Sequence, residues 1–192
     1  MRHYIIGHVE NGHTYLNMQV EGAAPHEISN RLINKSVECL HIHKRDDLSS
    51  CWRVLIEFGS GEMLEVSASE TEVVDWNEIG TINLAFRPGG VPVDAAIYKR
   101  LAVDPFVVNE VELLTCTEDL VFSECGILLK GLAGEIFIVA IGEMPFQLSV
   151  SLHSSNNLFL PRYPVESCAA SKPPGASLIK HDPCTTPSPL TD

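Results

Sequence analysis

Two cysteines and two histidines in the sequence have the types and spacing of metal ligands. Cys39, His41 and His43 alternate with apolar residues, so their side chains would lie on one face of a β-strand. If residues 44–50 connect this strand to the next one in a hairpin, Cys51 comes close to His43. Two thiols and two imidazoles are a ligand set that Zn²⁺ takes in tetrahedral sites.

Two considerations favour a different interpretation of these four residues. Alternate side chains along a strand stand about 7 Å apart, which is wide for ligands of one ion. Structural zinc sites also draw their ligands mostly in closely spaced pairs from tight turns. We therefore interpret Cys39, His41, His43 and Cys51 as the polar face of a partly exposed strand, and we expect no bound metal and no cofactor.

The sequence contains none of the short motifs that commonly mark a catalytic site. G-x-S-x-G, the P-loop, H-E-x-x-H and G-x-G-x-x-G are all absent. The sequence therefore predicts a protein without catalytic residues. The alternative is a small metal-binding protein or enzyme centred on Cys39, His41 and His43.

Strand patterns outnumber helical ones along the chain. Asn11-Gly12 favours a two-residue hairpin turn, which pairs Glu10 with His13 and Gly7 with Leu16. Further strands are predicted at 37–43, 52–58, 63–69, 106–115, 120–129, 135–141 and 146–152, and short helices at 25–35, 71–79 and 92–101. The predicted fold is mainly β, of the α+β class, with an antiparallel meander sheet or sandwich and two or three short helices.

The composition changes near residue 160. Residues 161–192 contain seven of the 12 prolines, with Ser, Thr and Ala between them and few large apolar side chains. Such a segment has little to bury and lacks many backbone donors. We expect a single β-rich domain at residues 1–160, followed by a disordered Pro/Ser-rich tail at 161–192.

The charge of the chain is strongly negative and unevenly distributed. Asp and Glu number 25 against 13 Lys and Arg, and residues 54–86 and 101–129 contain no Lys or Arg. Because such a chain repels phosphate, we expect no nucleic-acid partner and infer a protein partner with a basic surface. The predicted contact residues come from the first of these segments: Glu62, Glu65, Glu70, Glu72, Asp75, Trp76 and Glu78.

The first residues lack the layout of a secretory signal, and no run of apolar residues approaches the length of a membrane span. We therefore expect a cytoplasmic protein without membrane contact, whose six cysteines are reduced thiols.

One segment resembles known proteins. Residues 124–150 read Glu-Cys-Gly-Ile-Leu-Leu, then an apolar strand pattern and a Gly-x-x-Pro connection to another strand. This segment resembles the end of small uncharacterised bacterial proteins of the toxin-immunity type. The resemblance implies a non-catalytic acidic protein-binding module, an immunity-type inhibitor of a basic toxin domain. A structural assembly subunit with an exposed sheet edge is a further alternative.

Overall fold

The computed structural model describes residues 6–72, 78–90, 92–153 and 155–174. Its twelve strands form one curled sheet with both parallel and antiparallel pairs. The strands are β1 (Ile6–Glu10), β2 (His13–Asn17), β3 (Gln19–Glu21), β4 (Ser36–His43), β5 (Arg53–Phe58), β6 (Met63–Glu72), β7 (Glu78–Arg87), β8 (Tyr98–Glu118), β9 (Val121–Gly131), β10 (Ile136–Ile141), β11 (Leu148–Leu152) and β12 (Ala169–Ser171). The prediction of a mainly β fold is confirmed.

The strand order explains why the sheet is mixed. The order is β1-β2-β9-β8-β4-β5-β6-β7-β3, with β10 between β9 and β11 and β12 beside β8. Sequential hairpins give antiparallel pairs, as predicted, but β2 lies parallel to β9 and β3 lies parallel to β7. The expectation of a purely antiparallel sheet is therefore wrong. These two parallel pairs join strands that are far apart in the chain, which local patterns do not encode.

The first hairpin has the predicted register. Glu10 pairs with His13 and Gly7 with Leu16. The turn residues Asn11 and Gly12 have φ of 51° and 80°, the left-handed values that a two-residue turn of this kind requires.

Two stretches of chain change their pairing partners along their length. The first half of β8 pairs with β4 and its second half with β9. The strands β2 and β3 are separated only by Met18, and they pair with different neighbours. At this break the backbone N–H of Met18 donates to the carboxylate of Glu124 at 2.7 Å. A mostly buried side chain thus replaces the strand partner that Met18 lacks.

The burial of Glu124 makes stability depend on pH. Burial raises the pKa of the Glu124 carboxyl above its ordinary value of 4.5, against the opposing effect of the Met18 hydrogen bond. A folded-state pKa that is raised favours the protonated form, so the contribution of Glu124 to stability falls as pH rises through about 4.5 and above. We expect Glu124→Gln to remove this component, so that the variant gains stability relative to wild type as pH increases.

Urea unfolding of both proteins from pH 4 to pH 8 measures this difference, since all other titrating groups are shared. Glu10→Gln is the matched control, because it removes the same charge from an exposed strand. A difference between Glu124→Gln and wild type that stays constant with pH would contradict the prediction.

The core lies between the two halves of the curled sheet. Alternate residues of each strand point inward, as Leu40 and Ile42 do from β4 and Val54 and Ile56 do from β5. Among the described residues, Phe137 of β10 is the largest fully buried side chain. The apolar run at 135–141 is therefore an interior strand.

The described residues contain one α-helix, α1 (Ile28–Leu32), preceded by a 3-10 turn at Pro25–Glu27. The predicted helix at 25–35 is thus present in shorter form. The helix predicted at 71–79 is wrong at both ends, because β6 extends to Glu72 and β7 begins at Glu78, and these two residues pair with each other. Residues 73–77 of this prediction lie outside the described residues.

The helix predicted at 92–101 is also wrong. The carboxylate of Asp94 accepts the backbone N–H of Ala96, and its carbonyl accepts that of Tyr98, which gives one isolated turn. The chain then enters β8, whose pairing with β4 offers it partners on the sheet. The expectation of two or three short helices therefore fails because tertiary pairing overrides local propensity.

The described structure continues beyond residue 160. A 3-10 turn at Val165–Ser167 precedes β12, which pairs with residues 113–115 of β8. Tyr163 and Val165 pack against the core. Residues 175–192 lie outside the described residues, and for them the predicted tail stays a prediction. No helix among the described residues is long and apolar enough to cross a membrane.

Candidate metal centre

Adjacent strands bring Cys39, His41 and Glu57 together on the face of the sheet that points away from the core. Cys39 pairs directly with Glu57 across β4 and β5. Their side chains face outward because the intervening residues Leu40 and Ile56 are fully buried in the core. One atom from each of the three side chains lies within 4.8 Å of the other two.

The three atoms form a tight hydrogen-bonded triangle. His41 Nε2 lies 2.8 Å from Glu57 Oε2, and Cys39 Sγ lies 3.0 Å from the same oxygen. Cys39 Sγ and His41 Nε2 are 3.5 Å apart. Since a carboxylate only accepts, the Cys39 thiol and the His41 ring N–H both donate to Glu57.

The protonation states follow from these contacts. Burial, reinforced by the hydrogen bond to Glu57, raises the pKa of the Cys39 thiol to about 11. The hydrogen bonds from His41 and then from Cys39 lower the pKa of the Glu57 carboxyl. At neutral pH the cluster therefore holds a thiol and a carboxylate.

This arrangement does not suit a cysteine nucleophile. A thiol with a raised pKa is a weak nucleophile, because the thiolate is the reactive form. In a catalytic triad the acid and the nucleophile contact opposite nitrogens of the histidine ring. Here Cys39 and Glu57 both contact Nε2 of His41.

The surroundings leave one side of the cluster accessible. Cys39 is fully buried and His41 is 8% exposed, whereas the Glu57 side chain is 34% exposed. Arg100, which pairs with His41 across β4 and β8, lies near the thiol and carboxylate, and its charge acts to lower the pKa of both. The cluster is thus reached from solvent past Glu57.

The triangle fits a tetrahedral metal ion after a small movement. Zinc bonds of about 2.0–2.3 Å at tetrahedral angles place ligand atoms roughly 3.3–3.6 Å apart. The 3.5 Å between Cys39 Sγ and His41 Nε2 already matches. Glu57 needs to move outward by about half an ångström, and its partial exposure leaves it room to do so.

Of the four candidate ligands predicted from the sequence, the structure brings together only Cys39 and His41. His43 lies at the exposed end of β4, 3.8 Å from Asp46, and does not join the cluster. Cys51 is fully buried elsewhere, where burial raises its pKa to about 12 and its thiol donates to the Leu148 carbonyl. The objection that alternate residues stand too far apart for one ion does not hold for Cys39 and His41.

Sequence reasoning missed Glu57. The sequence signal is a carboxylate, Glu57, that lies between the apolar residues Ile56 and Phe58 of a predicted strand. Recognising it required the register of β4 with β5, in which Cys39 lies opposite Glu57. A hairpin closed by residues 44–50 would instead pair His43 with Cys51 and place Cys39 opposite Leu55.

The predicted acidic contact residues lie in different environments. Glu62 forms ion pairs with Lys35 and Arg31. Glu65 is buried between Arg53 and Arg87. These two carboxylates are thus engaged by cations of the same chain.

Three of the other five, Glu70, Glu72 and Glu78, lie on β6 and β7. The carboxylate oxygens of Glu70 are buried, and its side chain lies against Gly80. Glu72 and Glu78 are paired at the ends of the two strands. Asp75 and Trp76 lie outside the described residues.

The fold and this site define a mostly-β protein with an outward-facing Cys–His–Glu cluster. Comparison with protein-family models, with curated proteins and with solved structures found no match.

Proposed function

We propose that this chain is a metal-binding protein that holds one zinc-class divalent ion with Cys39, His41 and Glu57. The observation that carries the proposal is the convergence of a sulfur, a nitrogen and an oxygen within 4.8 Å of one another. Zn²⁺ accepts all three donor types, and a site with three protein ligands leaves the fourth position open. Such an open position is typical of zinc sites that act on a substrate or water.

The charges of the cluster support the proposal. A thiolate and a carboxylate carry two negative charges, which a divalent cation neutralises. The ion would take the place of the thiol proton that Cys39 directs at Glu57, and the Nε2 proton of His41 would move to Nδ1, so that the lone pair of Nε2 faces the ion. Binding therefore releases the thiol proton, as is usual for zinc sites with a cysteine ligand.

Zinc binding by the purified full chain tests this proposal. After dialysis against Zn²⁺ and removal of excess ion, elemental analysis should find one equivalent in wild type. Cys39→Ser and Glu57→Gln should each weaken binding by more than about 100-fold, since even outer-shell partners contribute about 10–100-fold. Substitution by Co²⁺ should produce a thiolate charge-transfer band in wild type that Cys39→Ser lacks.

Two matched controls come from the ligands that the sequence suggested and the structure separates. Cys51→Ser and His43→Gln remove the same chemical groups from outside the cluster. Both should bind zinc as wild type does. Equal loss of zinc in Cys51→Ser and Cys39→Ser would contradict the proposal, and so would wild-type binding by Cys39→Ser.

We also propose a second function, binding of a protein with a basic surface, which the turn at 142–147 favours. Phe146 has φ of 57° and is 41% exposed, an unusual combination for a bulky residue. Exposed Met144 precedes it, and the bridge between Cys51 and Leu148 brings exposed Trp52 to the same edge. Backbone strain and exposed aromatic residues are typical of binding surfaces. The net charge of −12 favours a cationic partner.

Comparison of Phe146→Gly with Phe146→Ala measures the backbone strain at Phe146 apart from the loss of its ring. Glycine adopts a positive φ freely, so we expect the variant to be more stable than wild type by about 1 kcal/mol. Phe146→Ala removes the ring and keeps the strain, so it should not share this gain. Urea unfolding of the three proteins measures both effects, and equal stability of the two variants would contradict the argument.

Binding is tested by surface plasmon resonance against purified basic nuclease domains of bacterial toxins. We expect one of them to bind wild type and to bind Phe146→Gly at least about ten-fold more weakly, because exposed aromatic anchors dominate interface energies. Leu132→Gly, which removes an exposed apolar side chain from another turn, is the control. No binding to wild type, or equal loss in Leu132→Gly, would contradict this second function.

A further inference from the structure

Three cysteines that play no part in the proposed metal centre meet at the other end of the sheet. Cys116 lies in β8, Cys125 in β9, and Cys168 directly before β12. Cys125 Sγ and Cys168 Sγ are 3.8 Å apart. Cys116 lies near Cys125, whose thiol acts to lower the pKa of the Cys116 thiol, and these two residues are buried in the core.

The backbone explains why thiols so distant in sequence meet. The pairing of β8 with β9 shifts between Leu114 and Thr115, which leaves Cys125 without a directly opposed residue. Its thiol lies beside β8 and donates to the Leu114 carbonyl at 3.3 Å. On the other edge of β8, Ala169 pairs with Thr115, so Cys168 arrives next to the same point.

The three thiols differ in accessibility. Cys116 and Cys125 are almost fully buried, whereas Cys168 is half-exposed. Its thiol directs its hydrogen bond at the Pro164 carbonyl in the turn that leads to β12. A small oxidant from solvent therefore reaches Cys168 first, with Cys125 directly behind it.

We propose that Cys125 and Cys168 form an oxidation site, at which hydrogen peroxide converts the two thiols into a disulfide. The Cys168 thiolate attacks the peroxide, so that an S–O bond forms, the O–O bond breaks and one water leaves with the thiol proton. Because burial raises the pKa of the Cys168 thiol, this attack is slow at neutral pH and faster as the pH rises. The sulfur of Cys125 then displaces the second oxygen as water, which carries away the remaining protons. Each sulfur gives up one electron, and the peroxide takes up both.

The geometry favours this pair. A disulfide needs its sulfurs about 2.05 Å apart, so the two atoms must approach by roughly 1.8 Å. Cys168 can supply most of this movement, because it lies in the short connection between the turn at Val165–Ser167 and β12. The product would attach β12 covalently to β9 across β8.

The consequence is a C-terminal segment that oxidation fastens to the sheet. In the reduced protein β12 is held by its three pairs with β8 and by packing of its neighbours. After oxidation, opening of β12 also requires movement of β9. This inference is independent of the metal centre, which lies on β4 and β5.

Peptide mapping of the full chain after treatment with hydrogen peroxide tests the proposal. The wild-type protein, unfolded and alkylated after the reaction, should show a mass loss of about 2 Da and a cross-linked pair of peptides containing Cys125 and Cys168. Amide exchange at residues 169–171 should slow by about ten-fold or more on oxidation and recover on reduction.

Variants distinguish this pair from other reactions. Cys168→Ser should lose both the cross-link and the slowed exchange, while Cys51→Ser and Cys184→Ser should keep both. A cross-link from Cys168 to Cys116 or Cys184 would overturn the proposal. Addition of oxygen to Cys168 without loss of 2 Da would overturn it as well.

Discussion

Glu65→Gln is expected to lower the free energy of unfolding by about 2–3 kcal/mol. Glu65 is only 5% exposed, and its two carboxylate oxygens lie 3.1 Å from the guanidinium groups of Arg53 and Arg87. Arg87 continues the network to Glu21 on β3. The single carboxylate thus links cations of β5 and β7 on the face that also carries the Cys–His–Glu cluster. Without its charge the two arginines face each other with no anion between them.

Urea unfolding measures this loss, and Glu62→Gln is the matched control. The Glu62 side chain is 35% exposed and pairs with Lys35 at the surface. Pairs of this kind contribute less than about 1 kcal/mol. High salt should shrink the effect at Glu62 and leave most of the effect at Glu65, because buried pairs are screened less. Equal losses in the two variants would show that burial of Glu65 has no energetic consequence.

Gly22→Ala is expected to cost about 3 kcal/mol, the second large effect. Gly22 has φ of 80°, and a Cβ atom there would lie 2.7 Å from the backbone oxygen of Phe86. That oxygen cannot move away easily, since Phe86 is held in β7 by its pairing with Leu64. The strain of a left-handed alanine adds about 1–2 kcal/mol, and the forced contact about 1–3 kcal/mol.

Gly12→Ala separates the two contributions. Gly12 has the same φ of 80° but nothing within 4 Å of the added Cβ. The variant should therefore show the backbone strain alone, about 1 kcal/mol. The difference between the two variants in thermal or urea unfolding measures the collision with Phe86. A loss at Gly12 as large as that at Gly22 would contradict this assignment.

The parts of the fold that can be predicted from the sequence are those that depend on residues close together in the chain. Asn11-Gly12 predicts its own turn and hence the register of β1 with β2. The glycines at 59 and 61 likewise mark the connection from β5 to β6. The parallel pairs of β2 with β9 and β3 with β7 depend on contacts across most of the chain. The alternation of apolar and polar residues shows that a segment is a strand, but it does not show which other strand is its neighbour in the sheet.

The same division holds for the candidate site. Alternation predicts that Cys39 and His41 share a face, and they do. It wrongly extends the set to His43, because the strand ends there and the side chain turns to Asp46. It omits Glu57, which enters only through the cross-strand register. A ligand supplied by a neighbouring strand becomes visible once that register is known.

The length of β8 has a consequence for how the protein comes to be folded. During synthesis β4 emerges early, yet one of its edges stays unpaired until Tyr98–Glu118 has been made, and the second half of that strand then waits for β9. Neither half of the sheet can complete itself as an independent folding unit. We therefore expect acquisition of structure to be late, cooperative and slow, in the range of about milliseconds to seconds that non-local β pairing imposes. Until then the open edge of β4 needs protection from pairing with other chains.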